Sequence, residues 1–148
     1  RARVLAEMSR VARPGGIVLY ATHNLNGPSF DERPWRRQRP EAGMPPAPAV
    51  RSVAQQAWHS ARDPRMYSSY WRNRHLDRHD GWATGPLRAH GFRLVTHFVA
   101  AERLALETGN AGLDLVDVFS FGGRRIDPAG PETHTHYFHV VARKPAAG

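Results

Sequence analysis

Residues that could do chemistry concentrate just after an apolar run at positions 17–22. His23 follows this run directly, and Asn24 and Asn26 come close behind it. Histidine is the usual general base near neutral pH, because its unperturbed pKa is about 6.5. Asparagine side chains can orient a substrate hydroxyl or amine by hydrogen bonding. Such residues after a strand also form turns that bond the local backbone, so the pattern leaves proton transfer, substrate contact and turn formation open.

A second group of candidates is aromatic and lies further along the chain. Tyr67, Tyr70, Trp71 and Trp82 are interspersed with arginines and histidines. Rings at this density argue against disorder, and they can form either the core of an insertion or the wall of a substrate pocket. Long irregular segments inside a compact domain are usually functional or disordered. We therefore expect positions 27–100 to form a lid or substrate-side insertion whose rings face the same substrate as His23.

The net charge of +8 suggests a nucleic-acid partner. Basic residues are most closely spaced in the arginine cluster, which consists of Arg33, Arg36, Arg37 and Arg39 and is flanked by acidic residues. Of the 21 basic residues 20 are arginine, an imbalance typical of base-composition bias in a genome. We therefore expect no nucleic-acid partner. Whether the arginine cluster binds an anion or forms a solvated loop stays open.

The nine histidines do not show the spacing of metal ligands. His75 and His79 are four residues apart, but the glutamate of an H-E-x-x-H zinc site is absent between them. On a regular strand His134 and His136 would share one face, while His139 would point to the other. We therefore expect no metal site.

Helices and strands alternate around these candidates. Residues 1–13 carry apolar side chains at a helical spacing, and Pro14-Gly15-Gly16 stops the helix. The unbroken apolar run at 17–22 predicts a strand that is buried on both faces, as in a parallel sheet. Further elements are predicted as a short helix or loop at 82–91, a strand at 92–99, a helix at 101–111, and strands at 113–119 and 137–143. The last two strands have no helix between them, so we expect an antiparallel pair in an α/β sheet.

Two stretches near the ends of the chain carry recognisable motifs. Residues 7–19 read E-M-S-R-V-A-R-P-G-G-I-V-L, and T-H-N follows at 22–24. A-G-L at 111–113 precedes a strand, and residues 137–145 read Y-F-H-V-V-A-R-K-P. This ordered set resembles the class I S-adenosylmethionine-dependent methyltransferases. In that family a helix leads through L-R-P-G-G into the fifth strand, T/S-H-N ends this strand in a bacterial branch, and an antiparallel seventh strand ends in A-R-K-P.

The resemblance implies a partial doubly wound, Rossmann-like methyltransferase sheet with an antiparallel last strand and a large insertion. Residues 1–148 would form the C-terminal part of one methyltransferase domain, with S-adenosyl-L-methionine as cofactor and a small molecule as methyl acceptor. His23 is then the candidate catalytic base. Acceptor contacts are expected from Asn24, Asn26 and the four aromatic residues above.

The cofactor-wrapping part of the family is missing from this sequence. Its glycine-rich turn precedes the L-R-P-G-G motif, and no G-x-G-x-x-G here follows a strand and opens a helix. Gly122-Gly123 is no substitute for it. We therefore expect the N-terminal half of the same domain as a partner, and we expect this chain alone to bind the cofactor weakly or not at all.

Two functions from other classes are alternatives to methyl transfer: a basic nucleic-acid-binding module and a non-catalytic structural remnant. Arginines gathered on one face would indicate the nucleic-acid-binding module. A fold without a ligand pocket would indicate the structural remnant. A membrane span takes about 20 apolar residues, and no such run occurs, so we expect no membrane partner. The sequence holds no cysteine, which excludes disulfides and thiol chemistry and is compatible with the cytoplasmic location that we expect.

Overall fold

The computed structural model describes residues 2–30, 32–35, 58, 63–74, 77–130 and 135–146. Its helices are α1 (Ala2–Val11), α2 (Arg65–Asn73) and α3 (Leu104–Asn110), with 3₁₀ turns at Arg88–His90 and Ala101–Arg103. Its strands are β1 (Ile17–Asn24), β2 (Arg78–His79), β3 (Trp82–Pro86), β4 (Val95–Val99), β5 (Asp114–Ser120), β6 (Arg125–Ile126) and β7 (Tyr137–Arg143). No helix in this part of the chain is both long enough and apolar enough to cross a bilayer.

The described strands form one open, mixed sheet in the order β2-β3-β4-β1-β7-β5-β6. β1 runs parallel to β4 and antiparallel to β7, and β7 is in turn antiparallel to β5. The chain is therefore an α/β fold. The predicted antiparallel pair at 113–119 and 137–143 is confirmed, and it belongs to the same sheet as β1.

The turn between α1 and β1 forms where the sequence predicts it. Pro14 cannot continue the helix, and Gly15 adopts a φ of +75°, which side chains with a Cβ rarely allow. The Gly15 N–H donates to the carbonyl of Lys144 at 2.9 Å. The Lys144 ammonium in turn donates to the carbonyls of Ser9 (2.8 Å) and Ala12 (3.1 Å), which lie at the C-terminal end of α1. The residue after β7 therefore fixes the end of α1.

Both α1 and α3 pack on one face of the sheet. Met8 of α1, Ala12 just after this helix, and Leu104 of α3 contact the buried side chains of this face, which include Val18, Val99, Leu113, Val118, Phe138, Val140 and Ala142. A chain of hydroxyls adds to the packing. Tyr20 donates to Thr108 Oγ1 at 2.7 Å, because the Thr108 hydroxyl already donates to the Leu104 carbonyl at 2.6 Å.

The opposite face of β1 and β7 is exposed. Ile17 and Leu19 are 51% and 69% exposed, and their neighbours across β7 include the exposed His139 and Arg143. We call this surface the open face. The prediction that β1 is buried on both faces is therefore wrong within the described residues. The physical reason is that α1 and α3, the helices adjoining β1 and β5 in sequence, lie on the same side.

The insertion continues the sheet beyond β1. β4 pairs in parallel with β1 only through His23 with Phe98 and Asn24 with Val99, and β3 and β2 add antiparallel strands outside it. The segment 82–91, predicted as a short helix or loop, is β3 followed by a 3₁₀ turn. Pairing along all of β4 holds this Gly- and Pro-containing segment extended. Part of 27–100 is therefore regular sheet structure.

Candidate functional site

His23 lies at the carboxyl end of β1, between β4 and β7. Its ring contacts those of its two cross-strand neighbours, Phe98 at 5.3 Å and Tyr137 at 5.9 Å between ring centroids. Side chains alternate along a strand, so His23 lies on the same side as Ile17 and Leu19, away from α1 and α3. Ligands of open α/β sheets bind beyond the carboxyl ends of strands, which is where this imidazole lies.

The surroundings of His23 favour its neutral form. Burial lowers the pKa of the imidazole, and the nearby imidazoles of His136 and His90 lower it further. Its Nδ1 atom is buried and has no hydrogen-bond partner among the described residues. A neutral imidazole always has one ring nitrogen that can accept a proton. His23 therefore has both the charge state and the position that a general base needs.

Asn24 belongs to the turn that follows β1. The side chain is 1% exposed; its Nδ2 donates to the Thr135 carbonyl at 3.0 Å, and its Oδ1 accepts the backbone N–H of Asn26 at 3.0 Å. Gly27 is required beside it, because a Cβ there would collide with the Thr135 carbonyl. These contacts match the turn-forming role that the sequence left open. Substrate contact by Asn24 stays a prediction, as does contact by Asn26, whose side chain is exposed.

Ser29 and Glu32 fold back over the same end of the sheet. Ser29 Oγ lies 2.6 Å from Nδ1 of His136, and Phe30 packs its ring edge-on against Phe98 at 5.1 Å. Burial raises the pKa of Glu32 to about 7, although the Arg88 guanidinium and backbone N–H oppose this. A carboxyl that ionises near neutral pH is a candidate functional group. The loop therefore places Ser29 against His136 at this end of the sheet and a buried carboxyl, Glu32, beside Arg88.

Sequence reasoning missed these loop residues. Ser29 and Glu32 stand in a proline-containing loop where no periodicity marks a buried side, and their partners His136 and Arg88 are far away in the sequence. Only the register between β1 and β7 brings His136 to this end of the sheet. The available signal was weak: two acidic residues, Asp31 and Glu32, between the apolar residues Phe30 and Trp35.

Three of the aromatic candidates lie on α2. Tyr70 contacts Trp35 at 5.3 Å and the buried Phe92 at 5.2 Å, and Trp71 stacks on Trp35 at 5.9 Å. Trp35 and Trp71 are about half exposed, so this aromatic cluster (Trp35, Tyr70, Trp71) forms a surface with its inner edge in the core. Tyr67 is also partly exposed. Their contact with a substrate stays a prediction.

Trp82 lies on the other side of the sheet. It pairs with Val99, whose side chain is in the core beneath α3, whereas the partner of His23 is Phe98. The Trp82 ring stacks between His79 (4.1 Å) and His97 (5.4 Å). The expectation that Trp82 and His23 line one pocket is thereby corrected. The register of β3 on β4 decides the face, and the sequence did not contain it.

Gly122 and Gly123 do not form a phosphate-binding turn. They close the β5–β6 hairpin, with the Gly123 N–H bonded to the Ser120 carbonyl at 2.9 Å and the Ser120 N–H bonded to the Arg124 carbonyl at 2.8 Å. In the described ranges no glycine-rich turn leads from a strand into a helix. The residues present therefore do not fit the cofactor's wrapping turn. His75, His134 and the remaining arginines of the arginine cluster (36, 37 and 39) lie outside the described residues.

Neither metal-ligand geometry nor similarity to known proteins assigns a further function to the described residues. Within the described ranges, no group of three or more histidine and carboxylate side chains is arranged to hold a metal ion. No family model, curated protein or solved structure matches the chain. Function is therefore inferred from the chain's own residues.

Proposed function

We propose that this chain is the acceptor-side, C-terminal part of a methyltransferase that uses S-adenosyl-L-methionine to methylate a small molecule. The observation that carries the proposal is the order β1-β7-β5, in which the last strand runs antiparallel to both neighbours. In the family that the chain resembles, the strand after the R-P-G-G turn belongs to a sheet whose last strand is antiparallel. This arrangement therefore supports the relationship that the motifs suggest.

The open face supports the proposal that the N-terminal half of the same domain is a partner of this chain. A doubly wound sheet carries helices on both faces, yet the described helices adjoining β1 and β5 lie on one. On the other face Ile17 and Leu19 expose apolar side chains at the centre of a sheet. In the described chain, the pairing of β1 with β4 also ends at His23 and Asn24. We assign the cover of this face, and the cofactor-binding turn, to the N-terminal half of the domain.

The chemical role assigned to this chain is acceptor activation. When an acceptor hydroxyl or amine is methylated, its heteroatom would bond to the methyl carbon as the bond from that carbon to the cofactor's sulfur breaks; S-adenosyl-L-homocysteine would leave, and the heteroatom would lose a proton. His23 is assigned to take that proton, because its lowered pKa favours the neutral imidazole, one ring nitrogen of which can accept a proton. Phe98 and Tyr137 hold the imidazole from two sides, which fixes its orientation toward the carboxyl end of β1.

Substitution of His23 in the complete enzyme tests the proposal. His23→Ala and His23→Gln should each lower turnover by about 10²-fold or more, the scale of general base catalysis, and should leave cofactor affinity nearly unchanged. Glutamine keeps a hydrogen-bonding side chain but cannot act as a base, so rescue by glutamine would reduce the role of His23 to orientation. His139→Gln, at an exposed position of the same face, is the matched control. Wild-type turnover in both His23 variants at saturating acceptor would contradict the assignment.

One observation favours the nucleic-acid alternative. The aromatic cluster exposes two indoles, and the Arg74 guanidinium lies 3.7 Å from the centre of the Trp71 ring. Exposed rings with arginines can stack unpaired bases. Binding of single-stranded RNA that weakens steeply with salt and is lost in Trp71→Ala, with no methyl transfer by the complete protein, would favour this function over the first.

A further inference from the structure

A row of aromatic rings lies at the carboxyl end of β1 on the open face. The His23 imidazole contacts the Tyr137 ring edge-on at 5.9 Å between centroids, and the Tyr137 ring contacts that of Phe121 edge-on at 4.9 Å. Phe121 directly follows β5 and is 51% exposed, while His23 and Tyr137 are partly exposed. Rings from three different parts of the sheet therefore form one accessible surface, which we call the His23 patch (His23, Phe121, Tyr137).

One buried residue connects the three parts of the His23 patch. The Thr135 hydroxyl accepts the backbone N–H of Phe121 and donates to the carbonyl of Tyr137, both at 3.1 Å. The Thr135 carbonyl accepts the side-chain amide of Asn24, the residue after His23, at 3.0 Å. Thr135 is only 5% exposed. Each ring therefore lies on or next to a residue that is bonded to Thr135, so the patch is formed before a ligand binds, which lowers the cost of binding.

The rings of the His23 patch favour another aromatic ring as ligand. Edge-to-face and offset-stacked contacts between rings add attraction beyond the apolar area that they cover, and Phe121 offers a half-exposed ring for such a contact. Tyr137 contacts both other rings of the patch. A six-membered ring that lies against Phe121 and Tyr137 therefore brings its substituent to the His23 imidazole, the polar group that orients it.

The imidazole favours a phenolic hydroxyl as this substituent. Burial lowers the pKa of His23, so its neutral ring is a weak base. A phenol ionises at a pKa of about 10, whereas an aliphatic hydroxyl ionises near the value of water, about 15.7. A weak base takes a proton more readily from the more acidic hydroxyl. We propose that the His23 patch binds an aromatic acceptor that carries a hydroxyl, with its ring against Phe121 and Tyr137 and its hydroxyl at the imidazole.

The fate of the bound hydroxyl rests on the proposed function, whereas the binding of the ring does not. In the methyl transfer described above, the phenolic oxygen would bond to the methyl carbon as the bond from that carbon to the cofactor's sulfur breaks. The phenolic proton would pass to a ring nitrogen of His23.

Titrations with phenol and with cyclohexanol, followed by the NMR signals of the His23 imidazole, test the binding. Both probes carry one hydroxyl on a six-membered ring, but only phenol is aromatic. We expect phenol to bind about two- to tenfold more tightly, the range of one aromatic pair. Phe121→Leu keeps an apolar side chain without the ring and should bring the two affinities together. Equal affinities in the unsubstituted protein, or no saturable shift of His23 by phenol, would overturn the proposal.

Leu106→Ala is the matched control for loss of exposed apolar surface. Leu106 lies on α3, which packs on the other face of the sheet, and it is 54% exposed, close to the value for Phe121. We expect this variant to keep the full preference for phenol. An equal loss of preference in Leu106→Ala and Phe121→Leu would show that phenol binds apolar surface in general, which is incompatible with the proposal.

Methyl transfer by the complete enzyme separates this inference from the proposed function. Phenol should be methylated in preference to cyclohexanol, and Phe121→Leu should raise KM for phenol about two- to tenfold with kcat nearly unchanged, because the ring contact binds ground state and transition state alike. Methylation of cyclohexanol in preference to phenol would refute the acceptor class and leave methyl transfer standing. Phenol bound at the patch of an enzyme that methylates neither probe would leave the binding site standing and remove the proposed function.

Discussion

Replacing Glu32 with glutamine should stabilise the protein above neutral pH and leave its stability unchanged in mild acid. Burial raises the pKa of the Glu32 carboxyl to about 7, against an ordinary value of 4.5, in spite of the opposing Arg88 guanidinium and backbone N–H. The folded protein therefore holds the Glu32 proton more tightly than the unfolded chain does. The stability that comes from this difference is complete below pH 4.5 and is lost as the pH rises through about 7.

The size of the effect follows from the same pKa. One pKa unit corresponds to about 1.4 kcal/mol, so ionisation of this carboxyl lowers the free energy of unfolding by about 3 kcal/mol. Glu32 is only 8% exposed, so solvent screens little of it. Glutamine stays neutral at every pH and keeps an oxygen that can accept the Arg88 backbone N–H. The pKa of about 7 already includes the attraction of the Arg88 guanidinium, so we expect a gain of about 3 kcal/mol on the alkaline side.

Urea unfolding of both proteins across this pH range measures the effect. The difference between the two free energies of unfolding isolates Glu32, because all other groups titrate in both proteins. Glu102→Gln, at an exposed position of a 3₁₀ turn, is the matched control and should give a flat difference. A flat difference for Glu32→Gln, or one that grows toward acid pH, would refute the reasoning from burial.

Three further outcomes test other parts of the structure. Tyr20→Phe should lower the free energy of unfolding by about 1 kcal/mol, because it removes the hydrogen bond to Thr108; urea unfolding at fixed pH measures this. Lys144→Met should cost about 1–2 kcal/mol in the same assay, since its ammonium donates to two carbonyls at the end of α1, and the exposed Arg143→Met should cost much less. The 148-residue chain alone should show no micromolar binding of S-adenosyl-L-methionine in calorimetry, and such binding would place the cofactor site in this chain.

Local sequence signals predicted α1, the turn that ends it, and the central strand β1. Proline and glycine at 14–16 stop α1 by their own backbone chemistry, and the apolar run at 17–22, rich in residues that favour strands, lies in β1. The sequence also placed position 23 at the carboxyl end of that strand, and its role as a site stays a prediction. These inferences need no knowledge of which strand pairs with which.

Strand pairing and register determine features of the fold that local sequence signals do not predict. β3 contains Gly85 and ends at Pro86, residues that disfavour strands, and it is extended because β4 pairs with it along its length. Its register also decides that Trp82 lies on the face of the sheet that carries α3, while Ala83 pairs with Phe98 on the other face. An apolar run alone likewise does not indicate which of its two faces other elements cover. Leu19 belongs to such a run and is nevertheless 69% exposed. Such outcomes depend on contacts between residues that are distant in the sequence.

The central place of β7 has a consequence for how this sheet forms in time. β7 is the last strand along the chain, yet it lies between β1 and β5, and its register joins Ile17 to Arg143. During synthesis β1 leaves the ribosome long before β7 does, so the edge of β1 that pairs with β7 stays unpaired while residues 25–136 are made. Contacts between such distant residues slow folding, and strands that wait are exposed to aggregation. Loss of β7 would remove no edge strand; it would divide the sheet into two parts with no strand pairing between them.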